Sequence, residues 1–198
     1  FMKSTPEKNK ILFVKPPDRF LEDEFVYQQL GPHYLQSFLE QYEILSDILV
    51  LYEQSEVRNK REAGEINELS LEHLNMLFLG ADGKSQDNVF DNSILQDYDI
   101  VALSVMSPQA SDAYLISQLI NELYPHITTV IGGSHPRYYQ NQVESLPKSM
   151  AFDFIVPQDG WGPIYKIATS QVRKAKKSIV LIDNSLKLTE LPAPSRPL

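Results

Sequence analysis

The chain has 198 residues, 42% of them apolar, no cysteine and a formal net charge of −8. That acidic balance argues against an extended nucleic-acid footprint, which needs a basic face. The absence of cysteine excludes disulfides, thiolate zinc sites and any iron–sulfur cluster ligated by this chain.

The unbroken apolar runs are only a few residues long, far short of the roughly 20 that span a bilayer. The start, FMKSTPEKNKILFV, holds no apolar segment long enough for a secretory signal. A soluble, cytoplasmic protein is the expectation.

Residues 1–9 are polar and read as a disordered N-terminal segment. Ile11–Val14 is a short continuous apolar run, the pattern of a strand covered on both faces. It stops at Lys15-Pro16-Pro17-Asp18, where two prolines cannot extend a ladder. Apolar residues then recur at Leu30, Tyr34, Leu35, Phe38, Leu39 and Tyr42, which is helical spacing with Gly31-Pro32 near the start. Ile48–Tyr52 reads as a second strand. Residues 53–92 are polar and acidic, with a helix-compatible stretch at Ile66–Met76, a short apolar run at Met76–Leu79 and turn chemistry at Gly80–Gly83. They read as an elaborated crossover.

Ile100–Val105 is the third expected strand, leaving through Met106-Ser107-Pro108-Gln109. A helix from about Ser111 carries Leu115, Ile116, Leu119, Ile120 and Leu123 on one stripe, and Pro125 closes it. The fourth strand, Thr128–Ile131, belongs to ITTVIGGSHP (Ile127–Pro136). There β-favouring residues run into Gly132-Gly133, which permit positive φ and close approach of a ligand. Arg137–Leu146 reads as helix and Phe152–Val156 as a fifth strand. Gln158-Asp159-Gly160-Trp161-Gly162 follows, with Pro163 placed to begin another helix. Such alternation predicts a doubly wound, five-stranded parallel sheet within residues 10–177. Residues 178–198 read as a β-hairpin (Ser178–Ile182 and Leu186–Leu188) followed by a linker toward a missing domain.

In open parallel sheets ligands bind beyond the carboxyl ends of the strands. The candidate loops are therefore Lys15–Asp18, Val105–Gln109, Gly132–Pro136 and Gln158–Gly162. No G-x-G-x-x-G and no P-loop is present, which argues against a dinucleotide-binding dehydrogenase or a nucleotidase. His135 is the sharpest single residue, but none of His33, His73, His126 and His135 has partners spaced as in a zinc site. A hydrogen-bonding or packing role is expected for it. Trp161 either covers a flat ligand or packs the last helix. Arg173, Lys174, Lys176 and Lys177 form a basic run, read as a solvated helix end or a contact for an acidic partner. No nucleophile–base–acid set can be assembled, so no catalytic residue is assigned to this chain.

Taken together, ILFVKPPD, Gly31-Pro32-His33-Tyr34-Leu35, YDIVALSVMSPQ (Tyr98–Gln109), TVIGGSHP (Thr129–Pro136), FDFIVPQDG (Phe152–Gly160) and the closing hairpin with Leu191-Pro-Ala-Pro resemble a known family. The chain resembles the cobalamin-binding domain at the N-terminus of many radical S-adenosylmethionine (radical SAM) proteins. The resemblance covers about residues 10–198 and is weakest over 53–92.

It implies a flavodoxin-like (Rossmann-like) sheet with the corrin resting on the loops after the third and fourth strands and the nucleotide tail threading alongside. By position, Val105, Ser107, Gln109, Gly132, Gly133, Ser134 and His135 would line that site, with Gly160 and Trp161 at its margin. A downstream domain of the same chain would carry the 4Fe-4S cluster and S-adenosylmethionine, and this module would be non-catalytic alone.

The chain departs from the family in two places. The Asp-x-His-x-x-Gly signature of cobalt-ligating histidine is absent, so cobalamin would bind without that ligand. The Gly-Glu usual after the last strand is replaced by Gln158-Asp159-Gly160-Trp161. Two alternatives stand beside this reading: a cofactor-free docking module of the same fold, and a flavodoxin-like binder of FMN or a nucleotide.

Overall fold

The computed structural model describes residues 8–18, 30–53, 59–60, 62–65, 78–81, 92–138, 152–176, 178–183, 185 and 192. The strands are β1 (Ile11–Lys15), β2 (Ser46–Glu53), β3 (Phe78–Ala81), β4 (Ile100–Ser104), β5 (Thr128–Gly132), β6 (Phe154–Ile155) and β7 (Ile179–Val180). The helices are α1 (Leu30–Glu40), α2 (Ala110–Leu123), α3 (Ser134–Tyr138) and α4 (Trp161–Ala168), with 3₁₀ turns at Asn92–Asp97 and Ser107–Gln109.

One sheet runs in the order β3-β2-β1-β4-β5-β6-β7. Every neighbouring pair is parallel except β2 with β3. The chain first builds outward from β1 through β2, then returns to β1's other side with β4. That reversal is the topological switch point, where crevices form in open α/β sheets.

All five residues of β1 are buried, as a strand between two parallel neighbours and two helical layers must be. Period-2 alternation divides the sheet's side chains between two cores. Leu12, Val14, Val101, Leu103, Ile131 and Ile155 pack with Ala113, Ile116 and Ile120 of α2. Ile11, Phe13, Ile100, Ala102, Val130 and Phe154 pack with Phe38 and Leu39 of α1 and with Ile164 and Ile167 of α4. Each large apolar side chain buried this way contributes about 1.5–3 kcal/mol. The α/β, doubly wound, flavodoxin-like architecture follows.

The sheet has seven strands rather than the five expected. β3 adds an antiparallel edge inside the 53–92 crossover, pairing Phe78–Ala81 with Val50–Glu53. At the other edge, Ile179–Val180 is not one arm of a separate hairpin. It joins β6 in parallel, with the Ile179 and Leu181 amides donating to the Asp153 and Ile155 carbonyls. The second hairpin arm expected at Leu186–Leu188 lies outside the described residues, as does the helix-compatible stretch Ile66–Met76. Helix α3 begins at Ser134 rather than Arg137, and the part of that expected helix beyond Tyr138 is also outside them.

Two polar contacts tie the chain's ends to this frame. The Asn9 amide donates to the Ala168 carbonyl at 3.1 Å. Lys174, from the basic run, donates to the Pro125 and Ile127 carbonyls at 2.7 and 3.3 Å and lies 3.9 Å from Asp153. Lys174 is a staple rather than a free charge.

Candidate functional site

A cleft of about 330 Å³ opens at the carboxyl ends of β1, β4, β5 and β6, on the α1/α4 face of the sheet. Its floor is one row of the sheet, Phe13, Ala102 and Val130, which are register partners across β1, β4 and β5. Ala102 is the small residue in an otherwise bulky strand, Ile100–Ser104, and its missing volume is part of the cleft. Pro32, Tyr34 and Leu35 of α1 form one wall, and Trp161 and Ile164 of α4 form another.

Glycine keeps the rim open at three places. A Cβ on Gly31 would meet nothing within 4 Å, and one on Gly132 would meet only the Val156 carbonyl at 3.8 Å. At Gly160 a Cβ would touch Leu35 at 3.4 Å. Ser104, Ser134, Gln158, Asp159 and Arg137 give the mouth its polar groups.

Trp161 does both things the sequence allowed. Its ring packs edge-on against Tyr34 and Phe38, with centroids 6.0 and 5.7 Å away, and so holds α4 to α1. The same residue lines the cleft.

Five of the nine residues expected at the site, Gly132, Gly133, Ser134, Gly160 and Trp161, line this cleft. Val105, Ser107, Gln109 and His135 do not. They form a polar latch around the loops after β4 and β5. Gln109 is buried; its Oε1 accepts from the Met106 amide at 2.9 Å and its Nε2 donates to the Pro16 carbonyl at 3.1 Å. That side chain buckles the loop after β1 to the loop after β4.

His135, 6% exposed, places Nε2 2.7 Å from the Tyr114 hydroxyl and Nδ1 3.2 Å from Ser107 Oγ. Its amide donates to the Val105 carbonyl at 2.9 Å, and the Val105 amide donates to the Gly132 carbonyl. Burial pushes the His135 imidazole below its ordinary pKa. Both ring nitrogens are therefore engaged within the protein, which is the hydrogen-bonding role the sequence favoured. Among the described residues, no group of three or more His, Cys, Asp or Glu side chains gathers as a metal site.

Alternation accounts for the division. Ala102 and Ser104 face the cleft, so Leu103 and Val105 face the α2 layer, and the groups after Val105 follow it there. The sequence signal for the cleft residues it missed is the same alternation, which puts Phe13, Ala102 and Ser104 on one face. It also lies in Gly31-Pro32, which opens α1 without bulk beside the strand ends.

No family model, curated protein or solved structure matches this chain. Chemically, the cleft can bind an elongated ligand with a flat apolar end. It offers no nucleophile–base pair among the residues that line it.

Proposed function

We propose that the chain is a cobalamin-binding module of a radical SAM enzyme and does no chemistry by itself. The observation that carries this is the cleft at the β1/β4 switch point. An apolar floor, an aromatic wall and glycine rims make a slot suited to the nucleotide tail of a corrinoid. The glycine turn at Gly132-Gly133 leaves the adjoining strand ends unobstructed.

The residues present fit such a group. Gly31, Gly132 and Gly160 leave the rim without side chains, Ala102 leaves depth, and Trp161 and Tyr34 supply flat walls. Ser104, Ser134 and Gln158 are placed to bind the tail's polar edge. His135 is committed to Tyr114 and Ser107, so cobalamin would take no axial imidazole from it, in keeping with the missing Asp-x-His-x-x-Gly signature. When bound, the cofactor would supply methyl transfer or assist radical chemistry for a downstream domain holding the 4Fe-4S cluster and S-adenosylmethionine. This chain's part is to bind, orient and shield it.

Equilibrium titration of the protein with hydroxocobalamin, followed by the corrin absorbance, tests the proposal. Saturable binding at one corrinoid per chain supports it. The alternatives give other results: flavin fluorescence quenched by an FMN binder, and no response to either ligand from a docking module.

A further inference from the structure

Charge in this cleft is distributed unevenly. In a chain of net charge −8, the cleft's described lining carries one cation, Arg137, and one anion, Asp159. No ion pair joins them, and Arg137 has no side-chain hydrogen bond or ion pair with any described residue.

A second cation stands beside it in the sheet. Val14 pairs with Leu103, and Ser104 pairs with Gly132, so Lys15 sits next to Ser104 and one strand further from Gly132. Neighbouring strands are about 4.8 Å apart, and side chains in register share a face. Lys15 therefore lies on the cleft face, two residues above Phe13 and in the same row as Ser104 and Gly132.

Lys15 is 3% exposed. Buried charges are normally paired, because leaving water costs several kcal/mol per ion. Lys8, Lys10, Lys166 and Lys174 all reach a carboxylate within 4.0 Å. Lys15, more buried than any of them, makes no ion pair or side-chain hydrogen bond with a described residue, Asp18 included. The described chain thus holds an uncompensated ammonium at the inner end of the cleft and an uncompensated guanidinium at its mouth.

We infer that Lys15 and Arg137 are the anion-recognising pair of this cleft, holding a phosphate carried by a ligand whose heteroaromatic end lies on Phe13, Ala102 and Val130. A phosphate suits the pair because its several oxygens can accept from a point charge and from a planar fork together. The Ser104 and Ser134 hydroxyls stand between the two. This rests on the cleft being the ligand site proposed above and adds which atoms of the ligand are read. A phosphodiester in a corrinoid tail and a phosphomonoester in a mononucleotide share that chemistry.

The test compares affinities within two ligand pairs that differ in the phosphate: hydroxocobalamin against cobinamide, which lacks the phosphate-bearing nucleotide tail, and FMN against riboflavin. Wild type, Lys15→Met and Arg137→Gln are measured, with circular dichroism to confirm folding. Lys15→Met keeps the length of the side chain and removes a buried charge, so it should fold. Each variant is expected to weaken the phosphate-bearing member of a bound pair about tenfold, as loss of a charge-assisted hydrogen bond does, and to leave the other member unchanged.

Equal weakening within a pair, or no change, overturns the inference. If FMN shows the effect while cobalamin does not bind, the cobalamin reading fails and the anion pair stands. If wild type retains neither phosphate-bearing ligand, the inference is overturned.

Discussion

A methyl group on Gly133 would stand 2.7 Å from both the amide nitrogen and the carbonyl oxygen of Val105. This contact fixes the turn after β5 against the loop after β4, and the backbone there has φ +95, a left-handed conformation that favours glycine. The two glycines of Gly132-Gly133 thus have separate duties. Gly133 lets two loops meet, and Gly132 leaves the cleft open.

Gly133→Ala is expected to destabilise the fold by about 2 kcal/mol or more, since both the φ penalty and the backbone overlap must be relieved. Urea unfolding checks this through a lower midpoint. A midpoint equal to wild type would mean that the turn tolerates a side chain.

Gly132→Leu acts differently. Its Cβ has ordinary space, and its side chain would follow Val130 onto the cleft face. Stability should change by no more than about 1 kcal/mol, while ligand uptake by the cleft is lost. Melting temperature and ligand titration on the same preparation separate the two effects.

His135 gives the fold a pH dependence. Burial favours the neutral imidazole, so its folded-state pKa lies below the unfolded value. The unfolded chain then binds the proton more readily, and stability falls as pH drops below about 6.5, the ordinary histidine value. Above that pH the term is fully present. His135→Gln should flatten the difference between unfolding midpoints at pH 8 and pH 5.5. Tyr114→Phe removes the 2.7 Å partner of Nε2 and should cost about 1–2 kcal/mol at pH 8.

The segment after β7 is held by Asp183. Its carboxylate lies 2.8 Å from Lys166 of α4 and accepts from the Ser185 amide at 2.9 Å, and a Cβ on Gly162 would overlap it at 2.5 Å. The Lys166 ammonium and the Ser185 donors hold its carboxyl well below the usual carboxylate range. A depressed carboxylate stabilises above its unfolded pKa, near 4, and loses that contribution as pH falls further. Asp183→Asn and Gly162→Ala should each release the 178–185 segment, read as faster proteolytic cleavage there with the rest of the chain intact. Unchanged cleavage in both would show that β7 pairing alone holds it.

Much of the fold was legible because parallel strands buried on both faces announce themselves. Ile11–Val14, Ile100–Val105 and Thr128–Ile131 are continuous apolar runs that nothing else explains. Strand direction is not written in such runs, so Ile179–Val180 looks the same in a hairpin as beside β6. β3 was hidden for a related reason: the apolar run Met76–Leu79 is short and stands in a polar crossover.

The site was half legible. The loops were identifiable from glycine and proline punctuation, but the side of the sheet each residue serves depends on register. Val105, Ser107, Gln109 and His135 fall on the α2 side, while Ala102, Ser104 and Arg137 fall with the cleft. Lys15 was visible only as the end of a strand; its missing partner is a three-dimensional fact.

The central claim, that this chain holds a corrinoid at the β1/β4 switch point, is tested most directly by gel filtration after incubation with hydroxocobalamin, monitored at a protein and a corrin wavelength. The expected result is corrin absorbance co-eluting with the wild-type protein in a one-to-one ratio and lost with Gly132→Leu. A folded wild-type chain that elutes free of corrin, or a Gly132→Leu variant that retains it fully, would contradict the account.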